Sequence, residues 1–594
     1  MGRTVHSTIL LKVEKIKSIG LTNNAIKILA HRYLLHKNGT IETPQELFRR
    51  VAKAVASAEI KWKTKKEVEK IEELFFEMMS TLHFLPNSPT LMNAGTSLNQ
   101  LSACFALPVE DSLNEIFTSL RNAALIQQSG GGTGFNFSRL RPKDDALTVT
   151  SGTASGPVSF MKVFNAATEH IKHGGKRRGA NMGILNVDHP DIEEFVSSKK
   201  KEGTLNNFNI SVGITDAFMH AVESNEDWLL INPNTKKISK TIKAQKLWNS
   251  IVENAWLSGD PGLIFLDTIN ETNPLIGLGK VESTNPCGEV PLFPYEACNL
   301  GSINVARFVK KNRSFDWKKL ELVVQNAIQF LDDIIEINNY IINDASIIVH
   351  ANRKIGLGIM GWADLLILQQ IPYDSDAAIA FAERLMKFIQ QKAVVASEKL
   401  AIEKGCFPNW YKSKLYPDQL RRNATLLSIA PTGTISIIAG ASSSIEPLFA
   451  LAFERTHVLD DTSLPEVNNY FLDYLKEYDL YSSELIGQIK QKGNLKNVSS
   501  IADDVKAIFK TALEISPEWH LKHQAVFQKY VDNAVSKTIN LPQSSTVDDV
   551  SHVYKMAWQQ KLKGITIFRY RSKEKQVLQQ GIGNEPNACT VCVV

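Results

Sequence analysis

The chain has 594 residues, of which 43% are hydrophobic and 22% charged, a composition typical of a large globular protein with an extensive core. Its formal net charge is only +5 and its basic residues are dispersed, which argues against bulk nucleic-acid binding. No leader-like N-terminus and no apolar stretch long enough to cross a membrane is present, so the sequence predicts a cytoplasmic protein without a membrane partner.

The N-terminal region, residues 1–85, is predicted to be helical. Thr43 precedes Pro44 and is followed three positions later by Glu46, the pattern of an N-cap, a proline in the first helical turn and a capping box. The apolar residues that follow recur at helical spacing, as in an element that packs against a core. This region is therefore expected to support the fold rather than to perform chemistry.

The middle of the chain, residues 86–572, alternates short β-like runs with amphipathic helical stretches. Residues 208–214 and 424–431 are the clearest β-like runs, and residues 322–337 are a clear amphipathic helix. This alternation predicts an α/β architecture. Residues 455–530 are predicted to be mostly helical, without a recognisable motif. Residues 564–572 are predicted to form the last strand, and residues 573–594 a mobile tail.

Two glycine-rich segments invite comparison with phosphate-binding loops. Residues 127–142 contain a glycine run but match neither the P-loop nor the dinucleotide pattern, so this segment is a weak signal. In residues 428–440 an apolar run leads to Pro431, followed by small and hydroxyl residues where a helix would begin. Such a turn suits a phosphate group, and a plain strand-to-helix connection fits the local sequence equally well.

The six cysteines are too few and too scattered for a disulfide-stabilised secreted protein. The C-terminal pair Cys589 and Cys592 favours a redox role over zinc, because no second pair supplies the remaining zinc ligands. Cys287 taken alone is most simply a buried, inert thiol. Asn285 and Glu289 bracket it, however, and in an extended segment all three side chains would project to the same side, as in a radical or nucleophilic centre.

Several motifs together resemble one known family. They are "NPCGE" (285–289), "PYEACNLGSIN" (294–304), residues 85–113, the glycine run, "RRGANMGIL" (177–185), "APTGTIS" (430–436) and the terminal Cys-x-x-Cys. In this order they resemble the catalytic chain of ribonucleotide reductases, and more narrowly the adenosylcobalamin-dependent class II enzymes. The resemblance implies a ten-stranded α/β barrel behind an N-terminal helical region, and the reduction of ribonucleotides, with diphosphates favoured as substrates.

The resemblance also implies roles for individual residues. Cys287 is expected to carry a thiyl radical, Glu289 to accept a proton from the 3′-hydroxyl and Asn285 to hydrogen-bond the ribose hydroxyls. Cys104 and Cys298 are expected to reduce the 2′ position and close into a disulfide. Cys589 and Cys592 would reduce that disulfide and be renewed by a thioredoxin-like partner. The expected substrate contacts are Ser88, Gly132, Thr432, Gly433, Thr434, Ile435 and Ser436. The radical is expected in a water-poor pocket near Leu292 and Phe293.

The same resemblance implies regulation by a deoxynucleoside triphosphate effector and a homodimer. A helix beginning at Asp111 or Ser112 places Ile116, Leu120, Ala123 and Ala124 on one face. A core helix would show the same pattern, whereas in the family this element forms the dimer interface. The expected effector contacts are Asp111, Arg141, Arg177 and Arg178. A further N-terminal domain for overall on/off control is not expected.

The choice of radical source depends on residues that the sequence lacks. It has no adjacent tyrosine pair near its C-terminus, as class I chains have, and no glycyl-radical motif. Adenosylcobalamin is therefore the expected cofactor, and no metal ligands are assigned. The alternative is a class I-type chain that needs a separate radical-generating subunit. A non-catalytic nucleotide-binding regulator is disfavoured, because nucleotide binding alone requires none of the five positioned cysteines.

Overall fold

The computed structural model describes residues 20–37, 39–146, 152–173, 177–459, 462–573 and 578–582. The predicted redox pair Cys589 and Cys592 lies outside these residues. Within them, no helix is both long and apolar enough to cross a membrane.

The main sheet contains ten strands within the described residues, and helices surround it. The strands are β1 Phe84–Pro86, β2 Cys104–Pro108, β3 Gly132–Asn136, β4 Asn181–Asn186, β5 Phe208–Ile214, β6 Gly262–Phe265, β7 Ala297–Asn304, β8 Ile355–Met360, β9 Thr538–Leu541 and β10 Gly564–Arg569. The α-helices are α1 Asn23–Ile28, α2 Pro44–Ala56, α3 Lys65–Ser80, α4 Ser88–Asn93, α5 Leu113–Gln128, α6 Pro157–His170, α7 Ile192–Ser197, α8 Asp216–Glu223, α9 Ala244–Ser258, α10 Leu266–Glu271, α11 Trp317–Ile337, α12 Asn343–Asn352, α13 Trp362–Leu368, α14 Asp376–Lys404, α15 Ile435–Ala439, α16 Asn469–Glu477, α17 Ser483–Lys492, α18 Asp503–Ile508, α19 Pro517–Gln528 and α20 Val547–Gln559.

The sheet is built from two parallel halves. Strands β2 to β6 run parallel to one another in chain order. The other half contains the parallel pairs β7–β8 and β9–β10. The halves join in antiparallel fashion where β7 meets β2 and where β10 meets β6.

Residues 425–429 close the sheet into a barrel. Leu427 forms a parallel bridge to Leu357 of β8, and Ile429 forms another to Val535, just before β9. The apolar run of this segment predicts a strand. In the structure the segment completes the barrel wall as its tenth strand-like element. Strand β1 pairs with β7 outside the barrel. The α/β barrel expected from the sequence is confirmed.

The N-terminal helices pack beside the barrel as the sequence predicts. Helix α2 begins with Thr43 as its N-cap and has the complete capping box with Glu46. A buried ion cluster ties this region to the barrel helices, because Lys404 Nζ of α14 lies 2.8 Å from both Glu59 Oε1 and Asp333 Oδ1. All three side chains are fully buried. Burial raises the pKa of the Asp333 carboxyl well above its usual value, although Lys404 partly opposes this shift.

A short hairpin, Ser283–Thr284 paired with Pro291–Leu292, lies inside the barrel and is called the Cys287 hairpin below. Both halves of the barrel hold it. Asn209 Nδ2 of β5 donates to the Pro286 carbonyl (2.7 Å), and Ala534 N donates to the Glu289 carbonyl (2.9 Å). The hairpin thus fills the barrel centre and carries the motif residues there.

The glycine run provides room for this hairpin. A Cβ atom on Gly134 would lie 1.7 Å from the Thr284 carbonyl oxygen, and one on Gly132 would lie 2.9 Å from the Pro286 ring. No side chain fits at Gly134 without displacing backbone atoms. Gly132 and Gly134 therefore serve close packing in β3, and a phosphate cradle is not needed to explain them.

Residues 448–509 form a satellite region with its own apolar core. Helices α16, α17 and α18 pack there around buried residues such as Phe471 and Phe509. An outer hairpin, Ala452–Leu459 paired with Thr462–Val467, borders this region. A third strand, Leu578–Gln580, joins that hairpin. Part of the segment predicted as a mobile tail is thus a strand in the structure, because the outer hairpin supplies a partner that local sequence does not reveal.

Gly134→Ala is expected to destabilise the protein and abolish its activity, because the added methyl group collides with the Thr284 carbonyl. Overpacking of this kind costs on the order of 3 kcal/mol. Thermal unfolding and activity measure the effect. The control is Gly487→Ala in α17, where a Cβ has nothing within 4 Å and the change is expected to be neutral or slightly stabilising. Equal unfolding temperatures for the two variants would contradict the packing argument.

Candidate active site

Cys287 lies at the tip of the hairpin, in a turn rather than in an extended strand. Gly288 N donates to the Asn285 carbonyl (3.0 Å), and Gly288 has φ +80°, which favours glycine. The prediction that residues 285, 287 and 289 project alike from an extended segment is therefore wrong. The turn exposes Cys287 while Asn285 and Glu289 are 1% and 2% exposed.

Cys104 and Cys298 lie directly opposite each other on the antiparallel strands β2 and β7. Cα atoms in such cross-strand pairs are roughly 4.5–5.5 Å apart, within the range that a disulfide spans. Both thiols are buried, and burial raises their pKa values well above the ordinary cysteine range. The pair is thus held as two protonated thiols, ready to give up two electrons together.

Asn285 links the hairpin to this thiol pair. Its Nδ2 donates to Cys104 Sγ (3.2 Å) and its Oδ1 accepts from Val290 N (3.0 Å). The amide also hydrogen-bonds the Glu289 carboxylate and thereby opposes the rise in its pKa, so Asn285 contacts both the thiol pair and the carboxylate. Leu292 packs in the apolar cluster around Cys104 and Cys298, whereas Phe293 belongs to a different cluster. The apolar pocket expected around Cys287 therefore encloses the thiol pair instead.

Glu289 is a buried carboxylate without a full set of partners. Its Oε2 accepts no hydrogen bond from any described residue. Burial raises its pKa to about 7, with Asn285 and the backbone N–H of Glu289 itself opposing the shift. Ser428 Oγ fixes the Glu289 carbonyl at 2.9 Å. A carboxyl group with a pKa near neutrality and an open acceptor is suited to exchange a proton with a ligand hydroxyl.

A cavity of about 1060 Å³ opens above the hairpin tip. Pockets for single small ligands usually measure roughly 300–1,000 Å³, so this cavity is at the large end of that range. Cys287 lines its wall together with Asn209, Pro431 and Ser436. Helix α1, the outer hairpin and strands β9 and β10 supply further parts of the cavity wall.

The two ends of the predicted phosphate loop, Pro431 and Ser436, line this cavity, and residues 432–435 lie between them. Thr432 has a positive φ of 54°, and its Oγ1 accepts from Ser444 N (2.7 Å). Ser436 Oγ is 3.1 Å from Ser443 Oγ. Among the described residues, no acceptor is found for the N–H groups of Gly433 and Thr434. The loop is held in shape while two backbone donors remain available; Ile435 begins helix α15.

Two expected substrate contacts lie away from the cavity wall. Ser88 Oγ is 2.8 Å from Tyr33 OH, at the start of α4. Gly132 contacts the Pro286 ring behind the Cys287 turn. The structure therefore places Gly132 beneath the hairpin tip and Ser88 at the boundary with the N-terminal helices.

The expected effector residues lie at the start of helix α5. Arg141 Nε donates to Asp111 Oδ2 (2.8 Å) and Arg141 N to Asp111 Oδ1 (3.1 Å), so the two residues pair with each other. Ser112, not Asp111, is the N-cap. Arg177 and Arg178 form a two-residue strand opposite Lys172–His173, and their side chains lie outside the described parts of the chain.

The predicted face of α5 is only partly buried. Ile116 and Ala123 are buried in the core and Leu120 and Ala124 are half-buried. Beside them on the outer side, Leu113 and Phe117 are 65% and 51% exposed. These two residues are four positions apart and share one face of the helix. The sequence periodicity of α5 therefore identifies the side of the helix that faces the core. The apolar outer face with Leu113 and Phe117 is a feature that the periodicity does not reveal.

Asn209, Ser428 and Ala534 are site residues that sequence reasoning missed. Asn209 is an exposed polar residue in the otherwise buried strand β5, and this interruption of an apolar run is the only sequence signal. Ser428 and Ala534 act on the Glu289 carbonyl across long sequence separations. No local pattern reveals such contacts.

Comparisons with known proteins identify relatives along the chain. Residues 102–568 match the model "Ribonucleotide reductase, barrel domain" and residues 19–99 match "Ribonucleotide reductase, all-alpha domain". The chain is 49% identical to the vitamin B12-dependent ribonucleoside-diphosphate reductase of Thermoplasma acidophilum, over 94% of this chain and 80% of the relative. A Mycobacterium tuberculosis protein of the same name is also 49% identical, over 93% of this chain and 80% of the relative.

A solved structure extends these similarities. The class Id ribonucleotide reductase alpha subunit of Actinobacillus ureae superposes with a TM-score of 0.76 at 25% identity, covering 93% of this chain and 97% of that one.

Glu289→Gln is expected to stabilise the protein at pH 8 and leave it unchanged at pH 4. Because the folded-state pKa of Glu289 is raised from the ordinary value of 4.5 to about 7, folding is unpenalised below 4.5 and loses stability as the pH rises from 4.5 to 7. The glutamine variant avoids this penalty, which is on the order of 3 kcal/mol. Denaturant unfolding at both pH values measures it, with exposed Glu484→Gln as control. A pH-independent difference between wild type and Glu289→Gln would contradict the raised pKa.

Proposed function

The chain belongs to the ribonucleotide reductase family, and on that premise we propose how its residues carry out the reaction. It reduces ribonucleoside diphosphates to 2′-deoxyribonucleotides with adenosylcobalamin as cofactor. The observation that carries the residue assignment is the arrangement at the barrel centre. Cys287 opens into a large cavity directly above a cross-strand thiol pair and a carboxylate with an open acceptor.

The cavity suits a nucleotide and leaves Cys287 accessible from its open side. Its volume of about 1060 Å³ is at the upper end of the range for one small ligand, and Cys287 is exposed to it. The cavity wall beside Cys287 would face the adenosylcobalamin, which would supply the radical to the Cys287 sulfur. The segment of β10 at this wall contributes Ile565, Thr566, Ile567 and Phe568, none of which is a tyrosine. The alternative of a separate radical-generating subunit is not favoured, because relatives named only as a large chain or alpha subunit are 28–31% identical.

Cys287, Glu289 and Asn285 act on the ribose. As a thiyl radical, Cys287 takes the 3′-hydrogen, and the Glu289 carboxylate accepts the 3′-hydroxyl proton at its open Oε2. The Asn285 amide, which contacts Cys104 and Glu289 in the structure, donates to a ribose hydroxyl when the nucleotide is bound. These three groups require the nucleotide to lie over the hairpin tip, with its phosphates at the N–H groups of Gly433 and Thr434 and at Ser436.

Cys104 and Cys298 supply the reducing equivalents. Two thiols give two protons and two electrons, the 2′-hydroxyl leaves as water, and the sulfur atoms join in a disulfide. Cys287 returns its hydrogen to the 3′ carbon. Cys589 and Cys592 then exchange with the disulfide, and a thioredoxin-like dithiol protein renews them.

The effector and dimer assignments depend on helix α5. Asp111 and Arg141 pair with each other at its start. A bound deoxynucleoside triphosphate would replace this ion pair: its ribose would contact Asp111 and its phosphates would contact Arg141. Arg177 and Arg178 complete the proposed effector site. The exposed face with Leu113 and Phe117 is the proposed interface of a homodimer.

Product formation is expected only with adenosylcobalamin and is expected to be lost in Cys287→Ala. The assay supplies a ribonucleoside diphosphate and a small dithiol, with and without the cofactor. Cys406→Ala is the matched control and should retain most of the wild-type rate, because no step uses that thiol. Activity that is indifferent to the cofactor would contradict the proposal, as would an active Cys287→Ala variant.

Phe117→Asp is expected to dissociate the dimer. A charge buried at the centre of an apolar interface weakens binding, typically by at least about tenfold. Sedimentation velocity over a concentration series measures the dissociation constant. Leu322→Asp is the control, because Leu322 is a similarly exposed apolar residue, 55% accessible, on a different helix. Unchanged association in Phe117→Asp would place the interface elsewhere.

A further inference from the structure

The strand Leu578–Gln580 is held by specific contacts at the edge of the outer hairpin. It pairs in antiparallel register with Phe453, Glu454 and Arg455. Beyond the strand, Gly581 N donates to the Ala452 carbonyl (2.9 Å) and Ile582 N to the Lys490 carbonyl (2.6 Å). The Ile582 side chain packs against the satellite core. The hairpin and the end of α17 thus bind five consecutive residues, 578–582.

Gly493 provides space for this segment. A Cβ atom there would lie 2.6 Å from Gln580 Cγ and 2.9 Å from the Ala452 carbonyl oxygen, and the residue has φ +72°. Together the outer hairpin, the Lys490 carbonyl and Gly493 form a slot, here called the tail slot. Its shape matches the segment that occupies it.

The tail slot adjoins the catalytic cavity. Leu578 lines the same cavity as Cys287, and so do its strand neighbours Phe453 and Arg455. Lys573 is fixed at the cavity wall as well, since its Nζ lies 3.2 Å from Asp260 Oδ2. The C-terminal part of the chain is therefore anchored at the cavity on both sides of residues 574–577.

We propose that the tail slot is a docking site for the chain's own C-terminal segment 578–582, which tethers the Cys589–Cys592 dithiol at the catalytic cavity. The proposal rests on the proposed function of that pair. Cys589 follows Ile582 by seven residues, a span of about 25 Å at most when fully extended. A tether of this length keeps the dithiol at an effective concentration in the millimolar range, which makes reduction of the Cys104–Cys298 disulfide an intramolecular step.

The thiol–disulfide exchange between the tail pair and the cavity pair conserves electrons and protons. A thiolate of the tail pair attacks one sulfur of the Cys104–Cys298 disulfide, and the other sulfur leaves as a thiolate and takes up a proton. The second tail thiol then attacks the mixed disulfide and loses its proton. The cysteines at the cavity regain two electrons and two protons, and the tail pair becomes a disulfide that an external dithiol protein reduces.

The test compares two reductants. A small dithiol reaches the cavity without the tail, whereas a dithiol protein of the thioredoxin type is too large and requires it. Gly581→Pro removes the N–H donated to Ala452 and cannot adopt φ +87°, and Ile582→Asp places a charge against the satellite core. Both variants are expected to lose at least fivefold in turnover with the dithiol protein and to keep the wild-type rate with the small dithiol.

Gly583→Pro is the matched control, because it makes the same change beyond the docked segment; it should behave as wild type with both reductants. Hydrogen exchange of residues 578–582 should rise in Gly581→Pro and in Ile582→Asp but not in Gly583→Pro. Equal turnover in all variants would overturn the proposal, and so would a loss that is the same with both reductants. A double variant, Cys589→Ser with Cys592→Ser, separates the two proposals: if it still turns over with the dithiol protein, the relay itself is wrong.

Discussion

The close approach of the Cys287 hairpin to strand β3 is the constraint on which the rest of the site depends. When a backbone hairpin occupies the interior of a barrel, the strand residues that it touches must lack side chains. Gly134 is such a residue, because a Cβ there would collide with the Thr284 carbonyl. Once the hairpin is seated, Asn209 from one half and Ala534 from the other fix its tip. The position of the Cys287 sulfur is then set by the barrel as a whole rather than by a local loop.

This placement also sets the electrostatics. The hairpin carries Glu289 into the buried interior, where burial raises the carboxyl pKa to about 7. The same burial keeps Cys104 and Cys298 in their thiol forms. Both effects destabilise the charged forms of the groups involved, and an active site commonly carries such a cost in stability. Packing and acid–base chemistry therefore have one origin, the insertion of a polar hairpin into an apolar barrel.

The sequence allowed prediction of the features that are encoded locally or in long motifs. The capping box at Thr43 and the strand at 208–214 follow from neighbouring residues, and the fold follows from the motif order. The turn at Cys287 is encoded locally, because Asn285, Pro286 and Gly288 occupy the first, second and fourth positions of a β-turn, and the expectation of an extended segment overlooked this signal. The role of the glycine run and the docking of residues 578–580 are not encoded locally, since each is defined by a partner far away in the chain.

The buried cluster of Lys404, Glu59 and Asp333 has a consequence for how the protein evolves and can be recombined. Removing one partner of a buried ion pair leaves an uncompensated charge, which typically costs about 3–5 kcal/mol. The N-terminal helices and the barrel match separate family models, yet this cluster joins them across their boundary. A chimaera that exchanges the helical region between relatives must therefore inherit Glu59 and Lys404 as a matched set, and the boundary between the two modules is a poor place to cut.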